Sequence, residues 1–178
     1  GNTLVLKPSV EAPLTAVKLV ELCNRFLPKG VLNAVAGTGA ECGQALIDHP
    51  KVAKLSFTGS TEVGRSIMRA AANRIIPVSL ELGGKSPQIV FPDANDDTTV
   101  ANVINGMRFV RQGQSCTAGS RLFLHASIFD AFMEKLVAKL KAFKIGEPLD
   151  DSTQMGAIVN EKQYNTVVGY IAEGLKQP

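Results

Sequence analysis

The sequence predicts an α/β fold, a parallel sheet with flanking helices on both faces, and three observations carry that reading. Short, continuously apolar runs of strand length alternate with stretches of helical period along most of the chain. The strand runs lack the polar alternation of a sheet with one face in water, as expected for strands buried on both faces. Loops containing glycine or proline follow three of these runs, at Lys7 to Glu11, Gly37 to Gly43 and Thr58 to Gly64. In such a sheet these loops share one edge, the edge at the carboxyl ends of the strands where ligands gather.

The elements follow in order. Residues 3–7 form the first predicted strand, entered directly from Gly1-Asn2. Residues 13–26 have helical period: Pro13 stands near the first turn, and Leu14, Val17, Leu19, Val20, Leu22 and Cys23 make a broad apolar face. Residues 31–36 are a second strand, and the glycine loop after them opens a helix reaching to about Asp48. Residues 53–57 are a third strand, and Thr58-Gly59-Ser60 turns into a helix over 61–73. Strands are expected at 77–82, 88–91 and 121–125, and helices at 96–111, 127–143 and 160–174. Crossovers should be right-handed. There is no internal repeat or low-complexity tract. The Gly83-Gly84 pair marks the expected change of domain, dividing 1–82 from 83–178. A chain that starts in a strand pattern and ends at Lys176-Gln177-Pro178, just past a helical one, is expected to be a piece of a longer protein.

Composition narrows the function. A chain of 178 residues holds one large domain, or a domain with part of another. Hydrophobic content of 45% with 20% charged residues argues against disorder. The net charge of +3 is small and the basic residues are scattered, so nucleic acid is not an expected partner. No apolar run is long enough to span a bilayer and no secretory signal is visible, so no membrane partner is expected. The three cysteines lack C-x-x-C spacing and leave one over, which speaks against a disulfide framework and a structural zinc. No metal site is expected, and a cytoplasmic, reducing compartment is the default.

Two stretches carry chemistry. The run Arg111 to Arg121 sets Cys116 in a polar segment between Gly113 and Gly119, at a junction where backbone N–H groups can face an oxyanion. A tight turn that happens to contain a cysteine satisfies the same pattern. Upstream, Leu80-Glu81-Leu82-Gly83-Gly84-Lys85 offers a carboxylate in an apolar, glycine-broken segment. The loop from Gly37 to Gly43 has spacing G-x-G-x-x-x-G, one residue longer than the dinucleotide fingerprint, and taken alone it reads as an ordinary loop. Ser60 could cap a helix or meet a phosphate. Lys7, held by Pro8, could reach ribose hydroxyls or phosphate, or simply be solvated. Together the three loops suggest a nucleotide.

As a set, these residues closely resemble the aldehyde dehydrogenase superfamily. Lys7-Pro8-Ser9, Phe57-Thr58-Gly59-Ser60, Leu80 to Lys85 and Gly113-Gln114-Ser115-Cys116 match its signatures in the family's order. Glu81 and Cys116 stand 116 − 81 = 35 positions apart, close to the usual separation. The resemblance covers the whole chain, although family members are more than twice as long. It implies that residues 1–82 are the later part of a Rossmann-like NAD(P)-binding domain and 83–178 the start of a second α/β, catalytic domain. It implies that Cys116 is the nucleophile, forming a thiohemiacetal with an aldehyde, and that hydride then passes to the cofactor. Glu81 would activate water to release a carboxylic acid. A thiol needs local help to ionise, and a carboxylate among leucines and glycines is suited to taking a proton from water. Relatives that pass the acyl group to coenzyme A commonly have asparagine in place of Glu81, so the glutamate favours hydrolysis.

The cofactor implied is NAD or NADP. The matching positions are Lys7 at the adenosine ribose, with Ser9 and Val10 beside it, and Gly39 and Gly43 near the adenine. Ser60 falls at the pyrophosphate, where Phe57, Thr58, Gly59, Val63 and Gly64 make the turn and wall. Leu82 and Gly83 lie toward the nicotinamide, and Gln163 toward its ribose. Many NAD-preferring members have glutamate where this chain has Val10, which neither accepts ribose hydrogen bonds nor repels a 2′-phosphate; NADP is therefore expected to be tolerated. The family's oxyanion-hole asparagine, beside a tryptophan, falls upstream of Gly1, and this chain has no Trp. Its glutamate-phenylalanine-glycine-proline segment and oligomerisation strand fall beyond Pro178. The segment alone is expected to be inactive, and the full-length protein to be a homodimer or homotetramer acting on a small aldehyde.

Plainer roles are expected elsewhere. Cys23 reads as core and Cys42 as packing near the cofactor. His49 and His125 lack partners at ligand spacing, Arg111 is a helix-end arginine or part of a substrate mouth, and Asp93 to Asp97 is a capping turn. Two other classes stay open: a cysteine hydrolase or acyltransferase pairing Cys116 with a histidine, and a non-catalytic nucleotide-binding relative.

Overall fold

Strands β1 (Leu4–Leu6) and β2 (Leu32–Ala34) lie parallel, with Leu4 opposite Leu32 and Leu6 opposite Ala34. The structure, a computed structural model describing residues 1–177, divides into two units, Gly1–Glu81 and Leu82–Pro178. The first also holds helices α1 (Leu14–Cys23) and α2 (Gln44–Asp48), strand β3 (Leu55–Gly59), helix α3 (Thr61–Arg74) and strand β4 (Val78–Leu82), whose last residue crosses the boundary. Its core is Leu55, Ile67 and Ala71, flanked by Ile47, Val52, Phe57, Ile76, Val78 and Leu80. Ile67 and Ala71 are one helical turn apart, so α3 turns a single apolar stripe onto β3. The Arg74 guanidinium donates to the carbonyls of Ile47 and Val52, fastening the end of α3 to α2 and to the connection that leads to β3.

The second unit contains β5 (Pro87–Val90), α4 (Asp97–Met107), β6 (Arg121–Leu124), α5 (Phe129–Lys141) and α6 (Glu161–Gly174). Strands β5 and β6 run parallel, from Pro87 opposite Arg121 to Val90 opposite Leu124. Joined through α4, they form the crossover unit that parallel pairing requires. Val100, Val103 and Ile104 of α4 meet Phe132 and Leu136 of α5, with Val90 and Ile128, in one core. Phe132 and Val100 are fully buried.

Two expectations are corrected, while the α/β class stands. The described strands are bonded in three pairs, β1–β2, β3–β4 and β5–β6, with helices between them. They are three to five residues long, so each ladder is short. Helix α1 buries only Val20, while Leu14 and Leu19 stay exposed: it packs on β2, and a two-stranded ribbon of three-residue strands cannot cover a broad apolar face. The helix expected over 96–111 ends at Met107, because Arg108 turns left-handed (φ 58°) and a short 3₁₀ turn, Phe109–Arg111, follows. Among the described residues no helix is long and apolar enough to cross a membrane.

Candidate active site

The loop that carries Cys116 is held by its own backbone. After α4, Gln112 (φ 54°) and Gly113 (φ 69°) both take left-handed conformations and reverse the chain. The Gly113 N–H donates to Arg108 O at 3.1 Å, Gln114 N–H to Arg111 O at 2.8 Å and Ala118 N–H to Ser115 O at 3.2 Å. Past the cysteine, Ala118 and Gly119 are buried, and Gly119 N–H donates to Gly106 O at 2.9 Å. Arg121 closes the loop onto the start of β5, its backbone N–H on Ser86 O (3.3 Å) and its Nε on Lys85 O (2.9 Å). Between these anchors Cys116 is a free, exposed thiol. Among the described residues its backbone N–H donates to no acceptor, and is therefore available to an oxyanion on an atom bonded to its sulfur.

Two glutamines brace the loop on its other side. Gln112 Nε2 donates to Gly156 O (3.1 Å), Gln114 Oε1 accepts from Val159 N–H (3.3 Å), and the two amides are joined at 2.7 Å. They tie the cysteine loop to the segment leading into α6, where Asn160 caps the helix by accepting from Gln163 N–H at 2.8 Å. Gln163 is half-buried in the first turn and belongs to the same unit as Cys116.

Glu81 lies in the first unit, in the alternating strand β4. Alternation sends Leu80 and Leu82 to the half-buried face and Glu81 to the exposed one. The apolar surroundings expected from its sequence neighbours are therefore absent in this chain, since residues adjacent in a strand never share a face. Gly83 is exposed beside it.

In the same unit, β1 and β2 run parallel, so the loops after them leave at one edge. Lys7 joins the two: its ammonium donates to Pro8 O (2.7 Å) and across to Gly37 O (3.1 Å), and its stem lies 3.8 Å from where a Gly43 Cβ would be. Thr38 caps the π-helical turn Gly39–Gly43, accepting from Glu41 N–H and donating to the Glu41 carboxylate. Cys42 packs against Gly37, where a Cβ would come within 2.7 Å of its own. Ser9 Oγ accepts from Glu11 N–H, Val10 is exposed, and Gly39 has open space around it.

The loop after β3 is built for close approach. The Phe57 ring lies against Gly59 so tightly that any Cβ there would collide with it. Thr58 is exposed, Ser60 Oγ caps α3 by accepting from Val63 N–H (3.3 Å), Val63 is exposed and Gly64 is buried. The Ser60 hydroxyl thus keeps its own proton to donate, and Lys7 keeps one of its three. A positive helix end, a spare hydroxyl proton and a cation fit the phosphates and ribose of a dinucleotide.

The other candidates have local work. His125 Nδ1 caps the 3₁₀ turn Ala126–Ile128 and His49 Nδ1 accepts from Lys51 N–H. Asp96 caps α4, accepting from Thr99 N–H at 2.7 Å, which with other local hydrogen bonds holds its carboxyl below the ordinary 3.8. Among the described residues no three His, Cys, Asp or Glu side chains gather as metal ligands. The braces at Gln112 and Gln114, and a third at Gln88, were missed by the sequence reading. Only Gln88 gave a signal, as a polar residue inside an apolar strand.

Comparisons with known proteins bear on these loops together. The aldehyde dehydrogenase family matches residues 1–178. The chain is 47% identical to a hydroxyisobutyraldehyde dehydrogenase of Mycolicibacterium austroafricanum, an alignment covering 99% of this chain and 35% of that protein. It is 43% identical to an aldehyde dehydrogenase of Vibrio cholerae, over 98% of this chain and 35% of the relative. A crystal structure of betaine aldehyde dehydrogenase from Staphylococcus aureus in complex with NAD+ superposes with a TM-score of 0.89 at 39% identity, over 96% of this chain and 34% of that one. The structure of PnpE with nicotinamide adenine dinucleotide gives a TM-score of 0.94 at 42% identity, over 99% of this chain and 36% of that one. The chain thus spans about a third of the length of the relatives it matches.

Proposed function

The chain belongs to the aldehyde dehydrogenase family, and from that premise we propose that the whole protein oxidises an aldehyde to a carboxylic acid with NAD+ or NADP+. In this reading residues 1–82 supply part of the cofactor domain and 83–178 part of the catalytic domain. The observation that carries it is the exposed Cys116 thiol, on a loop anchored before and after it, with its own N–H unpaired. Cys116 loses its proton and bonds the aldehyde carbon, and the resulting oxyanion takes a hydrogen bond from the Cys116 N–H. The cofactor, when bound, supplies the hydride acceptor. Lys7 would hold its adenosine ribose beside Ser9 and Val10. Gly39 and Gly43 would leave room for the adenine, and Ser60 with Gly59, Val63 and Gly64 would hold the pyrophosphate behind Phe57 and Thr58. Leu82, Gly83 and Gln163 would border the nicotinamide end. Glu81 takes a proton from the water that attacks the thioester on Cys116, and the acid leaves with the thiol restored.

A cysteine hydrolase needs a histidine beside the thiol, and both histidines here are engaged in local turns. A cytoplasmic homodimer or homotetramer is the assembly this reading carries with it. The test is turnover of an aldehyde panel, followed by the absorbance of reduced cofactor. Wild type should oxidise at least one aldehyde and Cys116→Ser none; undiminished activity in the serine variant would sink the assignment.

A further inference from the structure

The Gln88 side chain joins strand, helix and cysteine loop. It is a half-buried amide in β5, followed by Ile89, Val90 and Phe91. Its Nε2 donates to Val103 O in α4 at 3.2 Å and to Gly119 O at 3.3 Å, three residues past Cys116. Among the described residues Gly119 O accepts from nothing else, so the amide spares a buried carbonyl the cost of lacking a partner. Two glycines make room for it. A Cβ on Gly106 would collide with its Oε1, and one on Gly119 would lie 2.5 Å from its Cγ, Cδ and Nε2. These same glycines are bonded to each other, Gly119 N–H to Gly106 O. The anchor behind Cys116 is therefore a three-part lock of two glycines and one amide.

We propose that Gln88 is a positioning residue for Cys116, setting the thiol through Gly119 without touching the reacting atoms. The proposal rests on the reading of Cys116 as nucleophile, and its chemistry is specific. Both donors of the Gln88 amide face backbone carbonyls, a task that methionine of similar shape cannot perform and that a carboxylate would oppose by repulsion. Loss of the lock lets residues 115–119 shift, and a displacement of about 1 Å at a reacting group costs on the order of 100-fold in rate.

The experiment uses the whole protein and two readouts, steady-state kinetics and alkylation of each cysteine by iodoacetamide, located by peptide mass spectrometry. Gln88→Met should lower kcat about 10- to 100-fold with KM little changed. It should also alter the alkylation rate and pH profile of Cys116, while Cys23 and Cys42 label as before. Gly119→Ala should do the same, and Gln88→Ala added to it should cost little more, because both changes break the same lock. If Gln88→Met does not fold, Gln88→Asn, whose amide falls one methylene short, carries the same comparison. A variant that melts at lower temperature yet keeps wild-type kcat and Cys116 alkylation would overturn the proposal, as would fully additive losses in the double variant. Were Cys116 not the nucleophile, Cys116→Ser would stay active while the alkylation readout still tested Gln88.

Discussion

Cys116 stands between Ser115 and Thr117, whose hydroxyls share a hydrogen bond at 3.1 Å, so its immediate neighbours satisfy each other and leave the thiol unpaired. That suits a nucleophile that must bond to carbon and release it again within one turnover. The role proposed for Glu81 is the opposite one, acting on water after the thiol has reacted, so the two residues should fail differently. Cys116→Ser should block the first bond. Glu81→Gln keeps the shape and removes the base, so hydrolysis should slow by about 10²- to 10⁴-fold while acylation continues. Rapid mixing should then show one equivalent of reduced cofactor per site followed by slow turnover, with the acyl adduct on Cys116 visible by mass. An unchanged steady state would remove Glu81 from the mechanism. At Val10, exposed and without an acceptor, the expected outcome is turnover with NADP+ as well as NAD+. A strong preference for NAD+ in paired kinetics would count against that reading of the position.

Helix ends show where local chemistry is decided at the scale of elements. Helix α3 starts on the Ser60 cap and ends at Ile75, a β-branched residue held left-handed at φ 54° and 94% exposed. Left-handed backbone costs an L-residue about 1–2 kcal/mol, and glycine is the usual occupant of that position. Ile75→Gly should therefore stabilise the protein by about 1 kcal/mol in urea unfolding; a loss would mean that the isoleucine makes contacts its exposure hides. Helix α4 begins on Asp96, whose carboxyl is held below its ordinary 3.8, first by the Thr99 N–H and then, against an opposing desolvation, by other bonds from Thr99 and Thr98 and the charge of Lys135. A pKa lowered on folding adds stability at every pH above 3.8, and that stability disappears as pH falls through the lowered value. Asp96→Asn keeps the cap without the charge, so its thermal melts should lose less stability than wild type over that acid window. Identical acid limbs would show that the cap is not the titrating element. The end of α4 was not legible in the same way. Arg108 and Gln112 carry no turn signature, yet both are left-handed, because the loop's bonds from Gly113 to Arg108 and from Gly119 to Gly106 leave the chain no other course.

In the whole molecule, what was legible follows the range over which each signal acts. The helical stripe of Val100, Val103 and Ile104, and the short apolar runs around Ile89 and Phe123, are local periods, and they became α4, β5 and β6. The motifs that single out Cys116, Lys7 and Ser60 are equally local, short runs of adjacent residues. Strand partners and the bare face of α1 depend on residues far apart in the chain, and no period encodes them. Gln88 belongs with these, since its meaning lies in Gly106 and Gly119. The same long-range packing stands beneath the cysteine loop. Its anchors at Ser86, Gly106 and Arg121 adjoin β5, α4 and β6, and α4 and the end of β5 meet at Phe132, which has no exposed surface. Phe132→Ala should then cost about 3–5 kcal/mol, a transfer loss with a cavity added. Hydrogen exchange should report the loss in α4, α5, β5 and β6 together, and alkylation of Cys116 should change with it, because these three anchors stand on that core. A cost below about 1 kcal/mol would mean that α4 and α5 are loosely packed. Full destabilisation with an unaltered Cys116 would instead mean that the loop's own bonds suffice to hold it.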